Sequence, residues 1–183
     1  MSVEQLELSG TPRTIPRHLQ ILLDETSEDL MDWQGASEPG MFVPADYVLI
    51  FDALIEMRTW MPRGRQPDFL EWGSGLGLAT LMASALGWRA CGIEIQSGLV
   101  RESLRLSRAF DLDASFLEGS FFPGDAHAIR KLPERVAKAD LIYVYPWPDQ
   151  EIEIFDLFDR LAKPGAFLLA YYGIEDVRAF RKG

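Results

Sequence analysis

Apolar positions recur at two different periods along this 183-residue chain, and the change of period divides it. From Leu19 through Leu22, Leu23, Leu30 and Trp33 the spacing is helical, interrupted only by Thr26, which predicts an amphipathic helix over 16–33 opened by Pro16. Residues 34–40 are polar and rich in chain breakers and read as a linker. A second helix begins at Pro44, carries Tyr47, Ile50, Phe51, Leu54, Met57 and Met61 on one face, and stops at Pro62. Past the basic turn Arg63-Gly64-Arg65, short apolar runs alternate with helical stripes. The reading is strands 68–72, 89–95, 114–118, 140–145 and 166–172, with helices 76–86, 97–110, 126–138 (broken at Pro133) and 150–162 between them.

Strands that alternate with helices and are apolar throughout, as in Leu141-Ile142-Tyr143-Val144 and Phe167-Leu168-Leu169-Ala170, belong in a sheet covered on both faces. The fold class expected is therefore α/β, a doubly wound and mainly parallel sheet with N-terminal helices. Residues 1–40 read as a helical extension with its linker, and residues 41–183 as the domain.

Composition narrows the partners. With 28 acidic and 18 basic residues the formal net charge is -10, which disfavours broad contact with a phosphate backbone, so nucleic acid is not an expected partner. The first forty positions hold Glu4, Glu7, Asp24, Glu25, Glu28, Asp29, Asp32 and Glu38 against Arg13 and Arg17, either a solvated helix face or a docking site for a basic partner. The single cysteine, Cys91, excludes an intrachain disulfide and reads as a core thiol. Without a signal-like N-terminus or an apolar run near the ~20 residues of a membrane span, a cytoplasmic location away from membranes is expected. His18 and His127 lack spaced partners for a metal or a triad, so no metal site is expected; Asp125 could pair with His127 as acid and base, but reads more plainly as a helix N-cap.

The segment Asp68-Phe69-Leu70-Glu71-Trp72-Gly73-Ser74-Gly75-Leu76-Gly77 carries the strongest chemical signal: an apolar strand runs into three alternate glycines that open a helix. Glu94 ends the next apolar run at about the twenty-residue interval where an α/β fold places a ribose-binding carboxylate. In a parallel sheet, ligands sit at the carboxyl ends of the strands, where Glu71, Glu94, Glu118 and Tyr145 would converge. The glycines allow close backbone approach, and the helix start offers N–H groups to an anion such as a carboxylate. Leu78 occupies the place of the third glycine in the dinucleotide fingerprint, which disfavours pyrophosphate. Glu118 reads equally as a ligand or as a solvated loop acid.

On these residues the sequence resembles the class I S-adenosylmethionine (SAM)-dependent methyltransferases. Their first motif is acidic-x-Gly-x-Gly-x-Gly, here Glu71 to Gly77, and their second strand ends in an acid, here Glu94. The resemblance covers roughly residues 68–172, including the turn Leu161-Ala162-Lys163-Pro164-Gly165-Ala166 before the fifth strand. It implies SAM as cofactor, with Glu71 and the loop Gly73, Ser74, Gly75 and Gly77 at the methionyl end and Glu94 on the ribose hydroxyls. The loop Glu118-Gly119-Ser120 would then lie at adenine, with Ser120 where the family often has Asp. The expected strand order is 3-2-1-4-5. The tail after Tyr172 is too short for both antiparallel strands typical of the class, so the sheet is expected to be truncated after strand five.

After strand four, Tyr145-Pro146-Trp147-Pro148 looks like the family's fourth motif, usually Asp or Asn followed by Pro-Pro and an aromatic when an amine is methylated. Tyr145 replaces the amide or carboxylate. Methyl transfer depends on in-line positioning more than on an acid-base pair. Aromatic faces at Tyr145 and Trp147 suit a cation, with core packing as the competing reading. Tyr145, Pro146 and Trp147 are the catalytic candidates. Met41-Phe42-Val43-Pro44 and its helix look like the segment before the first motif in compact protein-lysine methyltransferases without a SET domain. The function this implies is methyl transfer to a protein side chain, lysine favoured because an acidic enzyme attracts a basic substrate. Methylation of a small metabolite and a non-catalytic SAM- or nucleotide-binding module are the alternatives; the oligomeric state stays open.

Overall fold

The computed structural model describes residues 3–36 and 43–183. Their elements run β1 (Val3–Leu6), α1 (Arg17–Ala36), α2 (Tyr47–Trp60), β2 (Asp68–Trp72), α3 (Leu78–Ala85), β3 (Arg89–Glu94), α4 (Ser97–Ala109), β4 (Ala114–Glu118), α5 (Leu132–Val136), β5 (Leu141–Val144), α6 (Glu151–Leu161), β6 (Phe167–Tyr171) and β7 (Val177–Lys182). The rest of the expected linker and the pair Met41-Phe42 lie outside the described residues, as do the side chains of Leu30 and Trp33.

The five strands read from the sequence are β2 to β6. They are parallel and lie in the order β4-β3-β2-β5-β6, the 3-2-1-4-5 expected. The expected truncation is wrong. β7 runs back antiparallel to β6, and β1 pairs antiparallel with β7, so the sheet has seven strands. The tail is indeed too short for two strands; the N-terminus supplies the other. A tight turn makes the return: Asp176 N donates to Gly173 O at 2.9 Å and Tyr172 N to Asp176 O at 2.8 Å.

Strand side chains alternate between two apolar layers. Phe69, Leu141, Tyr143, Leu169 and Tyr171 face the layer that contains Leu19 and Leu22 of α1 and the buried residues of α2, α3 and α4. Leu70, Trp72, Ile142, Val144, Leu168 and Ala170 face the layer of α5 and α6. Thr26, the polar position in the α1 stripe, is buried because its hydroxyl donates to Leu22 O at 2.7 Å within the helix. α2 starts later than Pro44: the Asp46 carboxylate accepts from Val48 N and Leu49 N and fixes the first turn.

The helix expected over 126–138 is only α5. Residues 127–129 instead lie beside the end of β4, with Ser120 N donating to His127 O at 2.9 Å and Ile129 N to Ser120 O at 3.1 Å. Asp125 therefore caps a turn rather than a helix, its Oδ1 accepting from His127 N at 3.0 Å. Pro133 sits in the first turn of α5, where the missing N–H loses no bond, and breaks nothing.

The end of the sheet opposite the glycine loop is braced. Buried Asp140 accepts from Arg65 Nη1 at 2.7 Å, Lys163 Nζ at 2.6 Å and Asp68 N at 2.8 Å. Burial alone would raise its pKa, but these partners hold it down to about 2. The carboxyl ends of the strands carry the site.

Candidate active site

β2 ends at Trp72, and the chain turns through Gly73, Gly75 and Gly77, all with positive φ, into α3. Gly77 is fixed by both conformation and space. Its φ is +75°, and an added Cβ would clash with the Phe116 ring, so any side chain would displace that ring. Gly92 on β3 is equally close to the loop, since a Cβ there would meet Ser74 Cβ at 2.8 Å. The loop thus lies directly on the sheet. Its amides are largely committed: those of Gly73 and Ser74 donate to Ile93 O, and that of Gly77 to Ser74 O. The Ser74 hydroxyl is buried without a partner among the described residues.

Two buried carboxylates flank the loop. Glu94 Oε2 accepts from Gly75 N at 2.9 Å and Oε1 from Gln96 N at 2.9 Å, which leaves lone pairs for further donors. Glu71 Oε2 accepts from Thr80 N at 2.9 Å and Thr80 Oγ1 at 2.5 Å, so it occupies one of the helix-start donors expected for an anion. Burial pushes the Glu71 carboxyl up to about 8, against the Thr80 hydrogen bonds and with the help of nearby Glu94.

A cavity of about 630 Å³ opens over this loop, within the ordinary range for a small-molecule site. It brings together Glu71, Gly73, Ser74, Gly75, Glu94, Ser120, Tyr145, Pro146 and Trp147 from the sequence reading. Two expected residues are not on its wall. Gly77 is packed against Phe116, and Glu118 is exposed because β4 is the sheet edge, one strand beyond Glu94.

Sequence reasoning missed several wall residues. Phe121 stacks on Trp72 at 5.4 Å with their planes 4° apart, and Phe122 packs against Phe121. Ser120 Oγ accepts from Phe122 N at 3.1 Å. Asp125 lies on the same wall, its carboxyl lowered by the hydrogen bond from the His127 amide. At the opposite end Tyr172 Oη donates to Glu151 Oε1 at 2.7 Å.

Of the chain's five tyrosines, Tyr47, Tyr143, Tyr145 and Tyr172 line the cavity and Tyr171 packs edge-on against Tyr145 at 4.7 Å. Burial, and then the charge of Glu71, pushes the Tyr47 and Tyr143 hydroxyls well above their ordinary value, so they stay neutral. The acidic side chains among the described lining residues are Glu71, Glu94, Asp125 and Glu151, and no Lys or Arg stands with them there. Aromatic faces and carboxylates together favour a cationic ligand.

No protein-family model and no curated protein matches the chain. Solved structures do. An RNA methyltransferase from Salinibacter ruber in complex with S-adenosyl-L-homocysteine (SAH) aligns with a TM-score of 0.59 at 18% identity, over 76% of this chain and 92% of that one. A SAH-bound methyltransferase from Podospora anserina aligns with a TM-score of 0.63 at 16% identity, over 87% and 64%. The fold is that of the class I SAM-dependent methyltransferases. A class I methyltransferase structure from Listeria monocytogenes, described as putative, also aligns with a TM-score of 0.63 at 10% identity, over 83% of this chain and 53% of that one. The chain thus spans about half to two thirds of two of these proteins and nearly all of the third. In this methyltransferase fold the glycine loop, Glu94 and the aromatic wall share one crevice at the carboxyl ends of β2, β3 and β5.

Proposed function

We propose that the protein is a SAM-dependent methyltransferase acting on a protein side chain, with lysine as the favoured acceptor. The observation that carries this reading is the glycine loop seated on Gly92, with buried Glu94 held between the Gly75 and Gln96 amides. The residues present fit the cofactor. Glu94 keeps acceptor sites for ribose hydroxyls, and the unpartnered Ser74 hydroxyl offers a donor in the loop. Asp125, on the same wall as Ser120, offers on the adenine side the carboxylate that Ser120 itself lacks.

SAM, held by Glu94 and the loop Gly73, Ser74 and Gly75, would supply an electrophilic sulfonium methyl to a neutral acceptor nitrogen. The chain's own contribution is to position and to exclude. Buried Pro146 and the following Pro148 restrict the backbone around Trp147, while Tyr145 is held by Tyr171. These aromatic walls keep water from the approach path and present π faces to a cation. Glu71 remains bound to Thr80 and orients the start of α3.

Trp147 is 39% exposed, so its removal costs little stability. Trp147→Ala is expected to reduce turnover by about 2- to 30-fold, the equivalent of ~0.5–2 kcal/mol, with SAM affinity and melting temperature nearly unchanged. Labelled-methyl transfer beside calorimetry measures both. A fully active variant would remove Trp147 from the catalytic role.

A further inference from the structure

The wall at Tyr172 and Glu151 continues outward into a rim whose composition is unusual for a surface that meets only water. Trp147, Ile152 and Ile174 are 39%, 86% and 97% exposed. Of the seven large apolar side chains exposed among the described residues, all but Ile21 line the cavity or lie within two residues of one that does. Ile174 is the most telling. It holds φ at +27°, a conformation that β-branched residues avoid, and so carries local strain to display an apolar side chain. The hydrogen bond from Tyr172 Oη to Glu151 Oε1 ties the turn bearing Ile174 to the start of α6 bearing Ile152.

The same rim is acidic. Segments 147–153 and 173–176 contain Asp149, Glu151, Glu153, Glu175 and Asp176 and no basic residue. Arg178, stacked over the Tyr172 ring at 4.5 Å, is neutralised by Asp176 at 2.6 Å. Such a surface repels a phosphate backbone, which needs clustered cations. It complements a polypeptide that carries positive charge beside apolar side chains.

We infer that Trp147, Ile152 and Ile174, with Glu151 among them, form a docking rim for a segment of a protein substrate in which the acceptor lysine is flanked by basic and apolar residues. The inference rests on the methyltransferase reading of the cavity and adds the partner that the mouth selects. Glu151, oriented by Tyr172, receives a flanking cation, and the exposed isoleucines cover the apolar neighbours.

The test compares wild type, Ile152→Lys/Ile174→Lys and the conservative Ile152→Leu/Ile174→Leu. Each is incubated with methyl-labelled SAM and a cell extract separated into protein, RNA and small molecules, and SAH affinity is measured by calorimetry. Label is expected in the protein fraction and to be recovered as methyl-lysine after hydrolysis. The lysine variant should lose about tenfold or more of that rate, the leucine variant should retain most of it, and both should bind SAH as wild type does. Label in RNA or in the small-molecule fraction would overturn the inference, as would an unchanged rate in the lysine variant. Those outcomes leave the cofactor reading intact; a wild-type protein that binds no SAH would overturn both.

Discussion

At the residue scale, two carboxylates in different environments flank the glycine loop. Glu94 is bonded through both oxygens to backbone amides and faces the cavity. Glu94→Ala should therefore leave a folded protein whose SAM affinity is lower by ~1.5–3 kcal/mol, roughly ten- to a hundredfold or more, in a calorimetric titration. Unchanged affinity would make Glu94 a loop anchor alone. Glu71 is buried and titrates at about 8 instead of its ordinary 4.5. Because folding raises this pKa, the stability that the neutral carboxyl contributes is complete below 4.5 and is lost as pH rises through about 8. The wild-type melting temperature should accordingly fall relative to that of Glu71→Gln between pH 5 and 9; a constant difference would show that Glu71 ionises without penalty. Both carboxylates were legible in the sequence, since each ends or nearly ends an apolar strand. Asp125, Glu151 and Tyr172 were not, because they reach the wall through turns and a cross-element hydrogen bond that spacing does not encode.

At the element scale, the parallel strands and most helices follow from periodicity, and the departures have local causes. α5 shrinks because the bonds of Ser120 to His127 and Ile129 draw the preceding residues alongside β4. β7 was not expected because the tail after Tyr172 is too short for both antiparallel strands; its buried positions include Lys182. That lysine is satisfied locally: Nζ donates to Asp159 O and to Ala162 O, carbonyls at the C-terminal end of α6. Lys182→Met keeps the apolar stem and removes the donors. It should lower stability by ~1.5–3 kcal/mol, about 3–12 °C for a chain of this size, while SAM affinity stays the same. An unchanged melting temperature would show that the end of α6 does not depend on β7.

At the scale of the whole molecule, one end of the sheet is locked by Asp140 with Arg65 and Lys163, and the other is open, aromatic and acidic. The order β4-β3-β2-β5-β6 could be anticipated, because the glycine loop and Glu94 carry the resemblance to class I SAM-dependent methyltransferases that implies it. The two antiparallel strands could not, since pairing of the N-terminus with the C-terminal tail is a contact between the ends of the chain. Among the described residues no helix is long and apolar enough to cross a membrane. We propose that this crevice takes a ribose on Glu94 and has no place for a pyrophosphate. Calorimetric titration of the wild-type protein with SAM, SAH and NAD tests it directly. SAM and SAH are expected to bind and NAD at the same concentrations is not; NAD binding more tightly than SAM, or no binding of SAM and SAH, would overturn the assignment.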